Sequence, residues 1–60
     1  MALPNDPILL VSVLNTKLRD QYSSLERLCD DLDEDMQALL EKLSANNYGY
    51  NAAQNQILPL

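Results

Sequence analysis

Apolar residues in the middle of the chain recur at the spacing of one helix face, and the same pattern occurs twice. Each copy places four side chains at positions i, i+3, i+4 and i+7, and only Asp33, Glu34 and Asp35 separate the copies. This spacing aligns side chains along one stripe of an α-helix. It predicts two short helices, at about 24–32 and 34–45, that pack against a shared core across a tight turn. The stripes are Leu25, Leu28, Cys29 and Leu32, then Met36, Leu39, Leu40 and Leu43.

A longer helix is predicted at about 6–20, before these two. Asn5 or Asp6 can cap its start, and Pro7 suits the first turn because its missing N–H would have no helical partner there. Leu9 and Val13 lie on a different side of this helix from its main apolar stripe. They therefore need a cover from the C-terminal segment, a second copy or a foreign partner. The main stripe comprises Leu10, Val11, Leu14, Leu18 and Tyr22.

Polar residues mark the ends of the predicted second and third helices. Ser23 with Glu26 predicts a capping box at the start of the second helix. Asp33 is the predicted N-cap of the third helix, where the helix dipole favours negative charge. Asn46 and Asn47 are expected to end that helix, because Asn tolerates the left-handed backbone that closes many helices.

The C-terminal part of the chain lacks the helical spacing of apolar residues seen before it. Two short β-prone runs flank a polar turn and predict a hairpin at about 48–58. The alternative is irregular chain that lays Tyr48, Tyr50 and Ile57 over the helices. The predicted fold is mainly α: a single domain over 1–60, with three helices in a helix-turn-helix-like arrangement and a short C-terminal hairpin or extended segment.

The length and the cysteine content of the chain limit how it can be stabilised and which sites it can form. A domain of 60 residues has a thin stability margin, so association with another copy or a partner is a plausible source of added stability. One cysteine and no histidine exclude an internal disulfide and the usual zinc ligand sets. Cys29 is expected to be a buried thiol in a reducing compartment, which favours a cytoplasmic protein that is not an enzyme.

The acidic run at 30–35 invites comparison with a calcium loop. An EF-hand template started at Asp31 finds acids at its first, third and fifth positions. Its sixth position then holds Met36 instead of glycine, and its twelfth holds Lys42 instead of a bidentate glutamate. Helix caps and solvated helix ends explain the run better, and no metal site is expected.

The charge balance disfavours polyanions as partners. Nine acidic and four basic residues give a formal charge of −5, which opposes nucleic acid and anionic membranes. The apolar stretch at 8–14 is too short to span a bilayer, and no signal peptide precedes it. A helix-turn-helix DNA-binding regulator is the alternative function. Its third helix would expose one cation and one acid, among Gln37, Ala38, Glu41, Lys42 and Ala45.

Several segments together resemble a family of very short bacterial proteins classed as a domain of unknown function. The resemblance covers nearly the whole chain and implies a protein that is complete at this length, without an activity, cofactor or catalytic residue to transfer. The second helix and turn are more loosely similar to helix-turn-helix regulators. The segments are Leu3-Pro4-Asn5-Asp6-Pro7, residues 13–20 (VLNTKLRD), Ser24-Leu25, residues 28–33 (LCDDLD), Tyr48-x-Tyr50 and Asn55-Gln56.

The expected function is a cytoplasmic, non-catalytic protein-interaction module that self-associates through its first helix. Leu9 and Val13 are the main candidate contact residues. Tyr48 and Tyr50 join them, because protein interfaces favour tyrosine. No cofactor, small-molecule substrate or membrane is expected, and the partner is a protein or a second copy of the chain.

Overall fold

Three helices followed by a two-stranded antiparallel hairpin make up the chain in the computed structural model, which describes residues 3–60. The predicted mainly helical fold with a C-terminal hairpin is confirmed. The first two residues of the predicted 1–60 domain lie outside the described range, and the helix-turn-helix-like arrangement stays a prediction. The elements are α1 (Pro7–Asp20), α2 (Leu25–Leu32), α3 (Met36–Ala45), β1 (Tyr48–Asn51) and β2 (Gln56–Pro59).

A single core collects side chains from all three helices and from β2. Both predicted apolar stripes face this core, and every one of their eight residues lies in it or packs against it. Leu14, Leu25 and Leu28 are fully enclosed. The helical spacing therefore identified the buried faces correctly. The buried residues are Leu10, Leu14, Leu18, Leu25, Leu28, Cys29, Leu39, Leu43 and Ile57.

The first two helices begin at side-chain caps. The Asp6 carboxylate accepts hydrogen bonds from the backbone N–H of Ile8 at 2.9 Å and of Leu9 at 3.3 Å, as predicted for α1. The predicted capping box of Ser23 with Glu26 is wrong. Ser24 caps α2, and its hydroxyl accepts from the N–H of Arg27 at 3.2 Å. The cap lies one residue later because Leu25, which must be buried, is the first residue of the helix.

The turn between α2 and α3 differs from the prediction that Asp33 caps α3. Asp33 instead ends α2 in the left-handed conformation, with φ of 55° and ψ of 45°. The next N–H, of Glu34, donates to the Cys29 carbonyl at 2.8 Å, which is the Schellman arrangement. Asp35 caps α3 by accepting from Gln37 at 3.0 Å. The cap of α3 is displaced by two residues because a left-handed residue must first close α2.

Replacing Asp33 with glycine is expected to raise the free energy of unfolding by about 0.5–1 kcal/mol. Glycine adopts the left-handed conformation without the steric penalty of a Cβ atom. Urea unfolding followed by helical circular dichroism measures the change. Asp33→Ala is the control, since it removes the same charge but keeps a Cβ, and it should not stabilise the protein. Equal stabilisation by both variants would mean that charge, not backbone conformation, governs this position.

The hairpin follows directly from the end of α3. Asn46 and Asn47 end that helix as predicted, and Asn47 is left-handed with φ of 64°. Tyr48 pairs with Pro59, and Tyr50 pairs with Ile57. Because successive side chains in a strand point to opposite faces, Tyr48, Tyr50 and Ile57 share the face that packs on the core. The strands confirm the predicted hairpin.

Candidate interaction surface

The outer side of α1 exposes two large apolar side chains at adjacent positions. Ile8 is 73% exposed and Leu9 is 57% exposed. The C-terminal segment therefore leaves Leu9 largely uncovered, whereas Val13 is half-buried. Ile8 was missed by the sequence analysis, although its position on the helix, almost opposite Leu10 of the buried stripe, could have revealed it. We refer to Ile8, Leu9 and Val13 as the α1 patch.

Neutral polar residues and one ion pair adjoin the α1 patch along the helix. Thr16 is exposed, and its hydroxyl donates to the carbonyl of Ser12 at 3.0 Å. Further along, Arg19 and Asp20 form an exposed salt bridge at 2.9 Å. The hydrogen bond from Arg19 lowers the pKa of the Asp20 carboxyl. The patch is thus a short apolar surface, and the nearest acid on the C-terminal side already has a cation beside it.

The two hairpin tyrosines lie toward the core and not on the outer side of α1. Tyr48 and Tyr50 are both half-buried and packed against the core. The Tyr50 hydroxyl accepts from the backbone N–H of Leu25 at 3.2 Å and donates to Asn55 Oδ1 at 2.7 Å. This hydroxyl therefore holds the start of α2 to the hairpin.

Two asparagines that the sequence analysis did not single out as functional connect α1 to the hairpin. Asn15 Oδ1 accepts from the N–H of Ile57 at 2.6 Å, and Asn15 Nδ2 donates to the carbonyl of the same residue at 3.0 Å. Asn55, with φ of 53°, donates from Nδ2 to the carbonyls of Leu18 and Tyr22, each at 3.0 Å. A sequence signal existed only in the segments that carry the family resemblance, which include both asparagines.

Residues of the acidic run have structural roles in the fold. Asp33 and Asp35 form the turn between α2 and α3, and Asp31 accepts a hydrogen bond from the Tyr22 hydroxyl. That hydrogen bond raises the pKa of Tyr22. Within residues 3–60, no group of three or more His, Cys, Asp or Glu side chains is arranged to hold a metal ion.

Cys29 lies on the buried face of α2 and is only 3% exposed. Burial raises the pKa of its thiol, and the nearby carboxylates of Glu34 and Asp35 act in the same direction. Because the thiolate is the nucleophilic form, this side chain is a protonated, unreactive thiol near neutral pH. It fills the core in the way a small apolar residue would.

The basic residues lie on three different helices. Lys17 and Arg19 belong to α1, Arg27 to α2 and Lys42 to α3. The Lys42 ammonium donates to Asn5 Oδ1 at 3.2 Å, so the one cation of α3 is engaged with the segment before α1. None of the helices among the described residues has the length and apolar character needed to cross a bilayer.

Comparisons with known proteins give one match. A family model described as Domain of unknown function (DUF4250) matches residues 4–57, which include α1, α2, α3 and β1 and reach into β2. No curated protein and no solved structure matches the chain. The comparisons do not show the looser similarity to helix-turn-helix regulators. The matched range contains Asn15, Tyr50 and Asn55, the residues that join the hairpin to the helices.

Proposed function

The chain belongs to the DUF4250 family, a domain of unknown function, and we propose that it is a non-catalytic protein-interaction domain that self-associates through the α1 patch. The family resemblance found in the sequence is thereby confirmed, and the family supplies no activity to transfer. The observation that carries the proposal is the exposure of Ile8 and Leu9, at consecutive positions on the outer side of one helix.

Burial of these two side chains gives self-association its driving force. Full burial of one Leu or Ile side chain contributes about 1.5–3 kcal/mol. In a twofold pairing, each α1 patch covers the other, so four such side chains leave water together. The contact area is smaller than that of a standard interface, so the association is reversible and depends on concentration.

The charges around the α1 patch permit two acidic copies to approach each other. The carboxylate of Asp6 caps α1, and that of Asp20 is paired with Arg19. Ser12 and Thr16, which lie between them, are uncharged. A second copy therefore meets mainly apolar and neutral surface, with the ammonium group of Lys17 one turn beyond Val13 and with the flanking carboxylates already engaged.

Features of α3 and α2 give no support to the two other functional classes. Glu34 and Asp35 stand before α3, and its one cation is engaged by Asn5, whereas a helix that binds DNA needs cations to neutralise phosphates. The buried thiol of Cys29 lacks the exposure that a catalytic nucleophile requires. The same thiol is typical of a reducing compartment, and a cytoplasmic location forms part of the proposal.

Replacing both Ile8 and Leu9 with glutamate is expected to abolish self-association through the α1 patch. The variant would place two charges in each copy of the patch while retaining the fold, because acids in the first turn of a helix interact favourably with the helix dipole. Sedimentation velocity over a concentration series measures the effect. The wild type should gain mass with concentration, and the variant should gain less mass at every concentration.

The matched control for this test is Gln37→Glu with Ala38→Glu. These two residues are exposed and occupy the same positions after the cap of α3 as Ile8 and Leu9 occupy after the cap of α1. The control adds the same charge elsewhere and should associate like the wild type. Association as strong in the Ile8 and Leu9 variant as in the wild type would contradict the proposed surface. An equal loss of association in the control would also contradict it.

A further inference from the structure

The outer edge of β1 presents backbone groups that no other described residue binds. In an antiparallel pair, alternate residues direct their N–H and C=O groups toward the partner strand or away from it. The Leu60 N–H donates to the Asn47 carbonyl at 2.8 Å, which places Asn47, Gly49 and Asn51 in the paired set. Tyr48 and Tyr50 therefore direct their backbone groups outward. Within residues 3–60, these groups have no hydrogen-bond partner, so water must meet them.

The opposite edge of the hairpin is closed. Ile57 is the residue of β2 whose N–H and C=O both point outward, and the Asn15 side chain binds both. The next outward position is Pro59, which has no N–H. Strand addition to this hairpin is therefore possible only along β1.

The open edge is short, with four residues, but it lacks two of the usual protections against pairing. Exposed edge strands commonly carry charged residues or proline, which discourage another strand. β1 has neither, and residues 43–60 contain no Asp, Glu, Lys or Arg. In a chain with a formal charge of −5, this uncharged segment lets two copies approach with little local repulsion.

We propose that β1 of a second copy pairs antiparallel with this edge, so that two hairpins form one four-stranded sheet. A twofold axis beside Gly49 places Tyr48 opposite Tyr50 of the second copy, and Tyr50 opposite its Tyr48. All outward N–H and C=O groups of both tyrosines then pair, in four hydrogen bonds. Shifting the register by one tyrosine pair would leave only two such bonds. A two-stranded sheet is marginally stable alone, and the added strands extend it.

This edge is distinct from the α1 patch, and the inference goes beyond the proposed function. α1 lies along the closed edge of β2, which it binds through Asn15. The open edge of β1 is on the other side of the hairpin, near α3. Each surface can therefore be altered while the other is kept, and the two proposals can fail separately.

Charge substitutions at Gly49 test the predicted register. In the proposed sheet, Gly49 faces Gly49 of the second copy, so Gly49→Glu or Gly49→Lys would place like charges directly opposite each other. Each variant alone is expected to raise the dissociation constant of the dimer about tenfold or more. An equimolar mixture of the two variants should restore association, because Glu then faces Lys.

The monomer should accept these substitutions. A Cβ atom at Gly49 would lie 2.7 Å from Leu60 Cδ2, the end of a flexible side chain that is 80% exposed and free to turn away. Gly49→Gln is the neutral control of similar size, and it should associate within a few-fold of the wild type. Circular dichroism verifies the fold of each variant, and sedimentation equilibrium gives the dissociation constants.

Three outcomes would overturn the inference. They are a wild type that is monomeric up to about 1 mM, Glu and Lys variants that each associate like the wild type, and a mixture that associates no better than either variant. Association that is lost in the Ile8 and Leu9 variant but unaffected at Gly49 would support the α1 patch and exclude the β1 edge. The reverse result would support the β1 edge and exclude the α1 patch.

Discussion

The variant Leu14→Ala is expected to lose about 3 kcal/mol of unfolding free energy, within the range measured when leucine is truncated in a closed core. Leu14 lies in the middle of α1 and has 0% of its surface exposed. Its removal forfeits the burial of the side chain and leaves a cavity between α1 and the rest of the core. A domain of this size has roughly 3–9 kcal/mol of stability in total, so the loss is a large fraction of it.

Thermal unfolding measures this effect as a fall of roughly 10–25 °C in the midpoint. Leu9→Ala is the matched control, because it makes the same substitution in the same helix at a side chain that is 57% exposed. The control should unfold close to the wild type when both are dilute enough to be monomeric. A similar loss in the two variants would mean that Leu14 is not enclosed as described.

The variant Asn55→Ala is expected to lose about 4 kcal/mol, the sum of three hydrogen bonds and a backbone penalty, although no apolar surface is removed. The Asn55 side chain donates to the carbonyls of Leu18 and Tyr22 and accepts from the Tyr50 hydroxyl. Each lost hydrogen bond costs about 1 kcal/mol, since a half-buried group is left without its partner. Alanine also adopts the left-handed conformation less readily than asparagine, which adds to the loss.

Asn55→Gly separates the hydrogen bonds from the backbone conformation. Glycine accepts φ of 53° without strain but lacks the amide, so its loss should fall to the part due to the three hydrogen bonds, about 3 kcal/mol. Urea unfolding of both variants by circular dichroism gives the two values. A glycine variant as stable as the wild type would show that the amide contributes nothing and that only the left-handed turn matters.

The helices and the core followed from local spacing, because helix periodicity and burial act on residues three and four apart. Leu28 and Leu43 could be placed on buried faces from their neighbours alone. The helix caps were harder to predict, since Ser23 and Ser24 are equally able to cap a helix. The choice between them depended on which turn allowed Leu25 into the core, a tertiary constraint that no local pattern records.

The exposed residues of the α1 patch and the contacts of the hairpin could be predicted only in part, because many of these contacts join residues far apart in the sequence. Leu9 was identified because its position lies off the main stripe, and the structure leaves it exposed. The role of Asn15 was invisible because its partner, Ile57, lies 42 residues further along the chain. The hydrogen bond from the Leu25 N–H to the Tyr50 hydroxyl was equally invisible, because it joins residues 25 positions apart, and the contribution of Tyr50 to a contact surface stays a prediction.

The hydrogen bonds of the Asn15 amide also limit how many copies of the chain can join into one sheet. Proteins that present two free strand margins can recruit copies at both, and such growth continues into fibrils. In this protein the Asn15 side chain forms the hydrogen bonds that a neighbouring strand would form with β2. The addition of strands to the hairpin would therefore stop at two copies. Asn15→Ala would leave the Ile57 N–H and C=O without this partner, while Pro59 and the adjacent α1 would still limit pairing along β2.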